Sequence, residues 1–122
     1  MKVKKVYICS ALRGDMENNI RLAKCYCEYA VREHGVLPIA PHIYFTQFLD
    51  DGRKEEREFG LRAGLSLLSL CDELWYFGDA VTAGMAEELR RAAALGIRVW
   101  HVPQDEYEDY TIERKRVIHE IQ

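Results

Sequence analysis

Long apolar runs and an excess of basic residues are both missing from this sequence. The formal net charge is −3, without the basic face expected of a protein that binds duplex nucleic acid. No segment approaches the length of a membrane span, and the apolar run after the basic start MKVKK is too short for a secretory signal. We therefore expect a cytoplasmic protein that binds neither duplex nucleic acid nor membranes.

Paired cysteine spacings of the zinc-binding kind are missing as well. The four cysteines are Cys9, Cys25, Cys27 and Cys71, and the second and third of them point in different directions on a predicted helix. This arrangement favours reduced thiols over a metal site. We predict neither a metal nor another cofactor.

The glycine-rich fingerprints G-x-G-x-x-G and Walker A are absent, so no standard phosphate-binding motif is present. Repeats, low-complexity tracts and linkers are absent too. A chain of 122 residues has room for one ordinary core, which predicts a single domain over residues 1–122.

What the sequence does contain is an alternation of strand and helix patterns. β-branched and aromatic residues predict strands over VKKVYIC, VLPIAP, DELWYFG and IRVWHV. Apolar spacing predicts helices over residues 15–34, FGLRAGLSLLSLC, TAGMAEELRRAAALG and the C-terminal segment, whereas residues 41–60 are predicted to be a long loop. This order predicts an α/β fold: a small Rossmann-like (flavodoxin-like) domain of three layers, with a parallel sheet of about four to five strands.

In such a sheet, ligands bind beyond the carboxyl ends of the strands. Residues 10–15, 41–45 and 78–88 are the segments that follow the first three strands. In the first, a hydroxyl from Ser10, a guanidinium from Arg13 and the N–H groups of a helix start suit a phosphate. The alternative is that Asp15 caps the helix, Gly14 makes a turn and Arg13 forms a surface ion pair.

The helix after the third strand carries two adjacent carboxylates. Met85, Leu89, Ala92 and Gly96 repeat at helical spacing and are predicted to face the sheet. Glu88 borders this stripe and so the ligand crevice, whereas its neighbour Glu87 is predicted to face solvent. The alternative is that both acids only complement the helix dipole.

The segments VYICSALRG, PIAPH and CDELWYFGDAVTAGMAEELRRAAALGIRV resemble the nucleoside 2-deoxyribosyltransferase-like superfamily, across roughly residues 3–102. This superfamily includes the 2′-deoxynucleoside 5′-phosphate N-hydrolases and related short bacterial and phage-associated domains. The resemblance implies a Rossmann-like fold, a homodimer or higher homo-oligomer, and a small nucleoside or nucleotide as ligand.

The resemblance also implies roles for individual residues. Glu88 matches a nucleophile that forms a covalent glycosyl intermediate, and Tyr7 matches a tyrosine that orients it. Tyr44 and Phe45 are candidates to stack on a base, the alternative being that they only pack within the loop. The positions implied to bind substrate are Ser10, Ala11, Arg13 and Gly14 on the first loop, His42 and Tyr44 after the second strand, and Thr82 and Gly84 before the nucleophile.

One departure from the superfamily bears on mechanism. An aspartate that assists the departing base is expected near Gly64, and none is present there. The upstream acids Asp50, Asp51, Glu55 and Glu58 are candidate substitutes or simply a solvated face. Two further polar residues, Asp72 and His101, are interpreted as a cap or turn residue and a structural histidine.

Three functions follow. The first is a nucleoside or nucleotide N-glycosidase, or a deoxyribosyltransferase, with Glu88 as nucleophile. The second is a protein that binds or sequesters a small nucleotide, such as an ADP-ribose-like signal, without turnover. The third is an accessory protein with a vestigial crevice.

Overall fold

The computed structural model describes residues 2–121, with side chains over residues 2–112. Strands and helices alternate along most of the chain, with two helices between the second and third strands. The elements are β1 (Lys5–Cys9), α1 (Met16–His34), β2 (Leu37–Ile39), α2 (Pro41–Phe45), α3 (Lys54–Leu68), β3 (Glu73–Phe77), α4 (Ala83–Ala94), β4 (Arg98–Val102) and α5 (Gln104–Ile121).

The strands form one four-stranded sheet in the order β2-β1-β3-β4, and all neighbouring pairs are parallel. Tyr7 at the centre of β1 lies opposite Ile39 on one side and Leu74 on the other. The chain moves outward from β1 to β2 and then returns to the far side of β1, so the strand order reverses between β1 and β3. A sheet of this kind binds ligands at that reversal, beyond the carboxyl ends of the strands.

Period-two alternation along β1 divides the core into two layers. Val6 and Ile8 are buried on the face covered by α1 and α5, where the stacked rings of Tyr26 and Phe77 lie 4.4 Å apart. The alternate residues of β1 are buried on the opposite face, against α3 and α4. The predicted three-layer α/β fold with a parallel sheet is therefore confirmed.

Local signals set several boundaries. Asp15 caps α1 by accepting a hydrogen bond from the Asn18 N–H, and Gly35 ends α1 in the left-handed conformation with φ of 62°. The Asp72 carboxylate accepts a 2.8 Å hydrogen bond from the Lys5 N–H, which ties the start of β1 to the segment before β3.

Two expectations are corrected. The predicted loop at residues 41–60 contains α2 and the start of α3, which begins at Lys54 rather than near Phe59. Pro41 suits the first turn of α2, and acidic residues in the first turn of α3 suit a helix start without an apolar pattern. Gly96 does not share the buried stripe of α4, because it is exposed, lies beyond the last helical residue and adopts φ of 71°.

His101 stacks on Tyr76 with ring centroids 4.5 Å apart, and its Nε2 lies 3.1 Å from the Gly78 carbonyl oxygen. These contacts link β4 to β3 and agree with a structural role. Among the described residues, no helix is long and apolar enough to span a bilayer.

Candidate active site

Glu88 lies where α4 crosses the sheet, and two residues of β1 hold its carboxylate. The Tyr7 hydroxyl donates a hydrogen bond to Glu88 Oε2, and Cys9 Sγ lies 3.4 Å from Glu88 Oε1 and donates to it. Tyr7 and Cys9 are adjacent on one face of β1 because side chains two positions apart share a face. Each carboxylate oxygen of Glu88 therefore has its own donor.

Burial dominates the electrostatics of this group. It raises the pKa of Glu88 to about 7, although the hydrogen bonds from Tyr7 and Cys9 favour the carboxylate and lower the pKa. Burial and the nearby carboxylate also raise the pKa values of Tyr7 and Cys9 well above their ordinary values. The phenol and the thiol therefore keep their protons and act as donors, while the carboxyl group titrates near neutral pH.

A cavity of about 480 Å³ opens beside Glu88. This volume lies within the range of small-molecule sites. Tyr7 and Glu88 contribute polar atoms to its wall, while Phe45, Leu61 and Leu65 contribute apolar surface. This lining suits a ligand with an apolar part and a polar part that reaches the carboxylate.

Ser10 and His42 form a polar pair in the same wall, with Ser10 Oγ 3.0 Å from His42 Nε2. Burial lowers the pKa of His42 to about 4. The imidazole is therefore neutral at pH 7 and serves as a hydrogen-bonding group rather than a cation.

The remaining polar groups lie around the cavity mouth. Arg13 Nε lies 3.4 Å from Asp51 Oδ2, so the ion pair anticipated by the alternative interpretation is present, and both residues line the cavity. Thr82 and Gly84 also line it, and Thr82 Oγ1 caps α4 by accepting a 3.2 Å hydrogen bond from the Met85 N–H. A cation and a helix N-terminus thus face the same space.

Three predicted binding residues lie outside the cavity wall. Ala11 packs against the core beside α4, and Gly14 makes a turn with φ of 100°. Tyr44 is 60% exposed, and its ring packs against Phe45 and Phe48 at centroid distances of 5.1 Å each. Of the two aromatic residues considered for stacking, only Phe45 faces the cavity.

Two features of the site were missed by sequence reasoning. The sequence predicts Cys9 only as a reduced thiol, although the alternation that pairs it with Tyr7 is visible in the first strand. Gly64 lines the cavity, and a Cβ added there would lie 3.3 Å from Tyr7 Oη. Of the upstream acids that were candidates to replace the aspartate expected near Gly64, Asp51 lines the cavity. Glu56, which was not among these candidates, lines it too.

Within the part of the chain that the structure describes, no three His, Cys, Asp or Glu side chains are grouped so as to hold a metal ion.

The fold and site define a small parallel α/β domain with a buried carboxylate at the strand-order reversal. Residues 4–102 match the family described as a domain of unknown function (DUF7768), and the chain belongs to this family. A solved structure of 2-deoxyribosyltransferase from the psychrotolerant bacterium Bacillus psychrosaccharolyticus aligns with a TM-score of 0.60 and 23% identity, covering 80% of this chain and 70% of that one. This similarity demonstrates a related fold. No curated protein matches the sequence.

Proposed function

We propose that this protein cleaves the N-glycosidic bond of a nucleoside or nucleotide through a covalent glycosyl intermediate on Glu88. The observation that carries the proposal is the buried Glu88 carboxylate, which has a donor on each oxygen and faces a nucleotide-sized cavity. A carboxylate held in one orientation beside a sugar-sized space is the nucleophile of retaining glycosidases. The deoxyribosyltransferase fold is consistent with this chemistry.

In the first step, one Glu88 oxygen forms a bond to the anomeric carbon as the bond from that carbon to the base breaks. Tyr7 and Cys9 orient the carboxylate for this attack. In the second step, water attacks the same carbon, the ester bond breaks, the carboxylate is restored and the proton lost by the water is taken up by the departed base. Another base in place of water would make the reaction a deoxyribosyl transfer.

The loop after β1 and the start of α4 are proposed to hold the sugar or its 5′-phosphate. Arg13 supplies a cation, Thr82 and Gly84 lie at a helix N-terminus, and Ser10 with neutral His42 supplies hydrogen bonds. Binding a phosphate requires Arg13 to share its guanidinium between the ligand and Asp51. Ala11 and Gly14 would act by shaping this loop.

The test is release of free base from a panel of nucleosides and nucleotides, followed by chromatography. Wild type should release base from at least one member. Glu88→Gln should release none, and mass spectrometry should detect no glycosyl adduct on this variant. Glu87→Gln is the matched control, since the adjacent acid Glu87 also lines the cavity but is paired with Arg90, whereas Tyr7 and Cys9 donate to Glu88. Equal release by wild type and Glu88→Gln would refute the proposal.

A second candidate function is nucleotide binding without turnover. It is favoured by Gly64, which places no carboxyl group beside Tyr7 where an acid for the departing base would be within reach. Isothermal titration calorimetry with nucleotides and ADP-ribose derivatives tests it. Tight binding with no product would favour this function, whereas base release would eliminate it.

A further inference from the structure

The carboxylates that line the cavity, other than Glu88, are all engaged with arginines. A carboxylate bound to a guanidinium accepts hydrogen bonds and does not offer a proton. Within residues 2–112, these pairs are Asp51 with Arg13 at 3.4 Å, Glu56 with Arg53 at 3.3 Å and Glu87 with Arg90 at 2.5 Å.

The remaining polar groups of the described wall are no better as acids. His42 is neutral at pH 7 because burial lowers its pKa to about 4. The Tyr7 proton is already donated to Glu88, and position 64 is a glycine. The cavity therefore has a nucleophile but, among the residues described, no general acid suited to neutral pH.

Leaving-group chemistry then restricts the substrate. A neutral base departs as an anion unless it is protonated, whereas a base that already carries a positive charge departs as a neutral molecule. We infer that the substrates of this site are N-glycosides of cationic bases, such as a pyridinium or an N7-alkylated purine. This inference rests on the proposed N-glycosidase function and specifies its substrate class.

The cavity wall leaves one carboxylate available to a cationic base. Four carboxylates line the cavity, and Glu88 is the one among them that is not paired with an arginine in the described part of the chain. Phe45 presents a ring in the same wall, and a cation over an aromatic face is stabilised electrostatically. Apolar side chains nearby suit the flat ring that carries the charge.

The step balances without an acid. A Glu88 oxygen bonds to the anomeric carbon, and the electron pair of the breaking carbon–nitrogen bond neutralises the positive ring. The base leaves without taking up a proton. Water then supplies a hydroxyl group to the anomeric carbon and releases its proton to solvent as the Glu88 carboxylate re-forms.

The test compares guanosine 5′-monophosphate with its N7-methyl derivative, in the ribose and 2′-deoxyribose series, at mildly acidic pH. The two members differ by one methyl group and one positive charge. Nicotinamide mononucleotide is a further cationic probe, and parallel reactions with Glu88→Gln correct for spontaneous loss of base. We expect kcat/KM for the cationic member to exceed that for the neutral member by at least about 100-fold, the lower end of what a general acid contributes.

A smaller preference would overturn the inference, because an enzyme with its own acid protonates a neutral base and narrows the gap. Release from none of the cationic probes would also overturn it. If neutral nucleotides are then still cleaved in a Glu88-dependent reaction, the proposed N-glycosidase function stands. If no substrate of either kind is cleaved, both proposals fail together.

Discussion

At the scale of single residues, the central feature is a carboxyl group whose proton is gained or lost near neutral pH. Glu88 must be a carboxylate to attack, and burial raises its pKa to about 7. The value of kcat/KM is therefore expected to rise with pH up to about 7 and to level off above it, since this parameter reports the free enzyme. A pH–rate profile on the best substrate measures this. A rate that is already maximal at pH 5 would contradict the assignment of Glu88.

The thiol of Cys9 affects the same titration. Its hydrogen bond to Glu88 Oε1 favours the carboxylate, so Cys9→Ala should move the midpoint of the pH–rate profile to higher pH. Cys71→Ala is the matched control, because Cys71 is a buried cysteine of the same core layer that donates to the Leu67 carbonyl instead. If the pH–rate profiles of wild type, Cys9→Ala and Cys71→Ala had the same midpoint, the Cys9 thiol would have no part in positioning Glu88.

Ionisation of Glu88 with rising pH should raise activity but lower folding stability. The folded-state pKa of about 7 lies above the ordinary glutamate value of about 4.3, so the folded protein binds the proton more tightly than the unfolded chain. This contribution is fully present below about pH 4 and is lost as the pH rises through 7, by on the order of 3 kcal/mol. Urea denaturation of wild type and Glu88→Gln across this range measures the free energy of unfolding of each protein. As the pH rises, the wild type should lose stability relative to the variant. A difference in the free energy of unfolding that stays constant with pH would contradict this prediction.

At the scale of secondary structure, α4 matters most because its first turn and its buried face both reach the cavity. Thr82 Oγ1 satisfies the Met85 N–H at the helix start. Thr82→Ala should lower the free energy of unfolding by about 1 kcal/mol, whereas Thr82→Ser keeps the oxygen and should cost less. Chemical denaturation measures both, and equal losses in the two variants would exclude capping as the cause.

The elements also show where sequence reasoning succeeds and fails. The strands were predictable because β-branched and aromatic residues fill them, and the position of Glu88 followed from the apolar spacing of Met85 and Ala92. The five residues of α2 are too few to display a helical period, and the charged first turn of α3 carries no apolar pattern. The exposure of Tyr44 depends on α2 and therefore could not be predicted from the sequence either.

At the scale of the whole molecule, the parallel topology assembles the site from distant parts of the sequence. Strand alternation predicted the sheet, and the strand-order reversal predicted the edge at which the cavity lies. The pairing of Asp51 with Arg13 could not be predicted, because this contact depends on how the segment between α2 and α3 folds over the sheet. Specificity at this site is therefore less visible in the sequence than the fold is.

The hydrogen bond between Tyr7 and Glu88 joins residues 81 positions apart in the chain. It forms only when α4 packs against β1, which requires both intervening crossovers to be in place. In an unfolded or partly synthesised chain, Glu88 is a solvated acid without its hydrogen bond to Tyr7 and without a cavity beside it. The environment of this carboxylate is thus assembled only when folding is essentially complete.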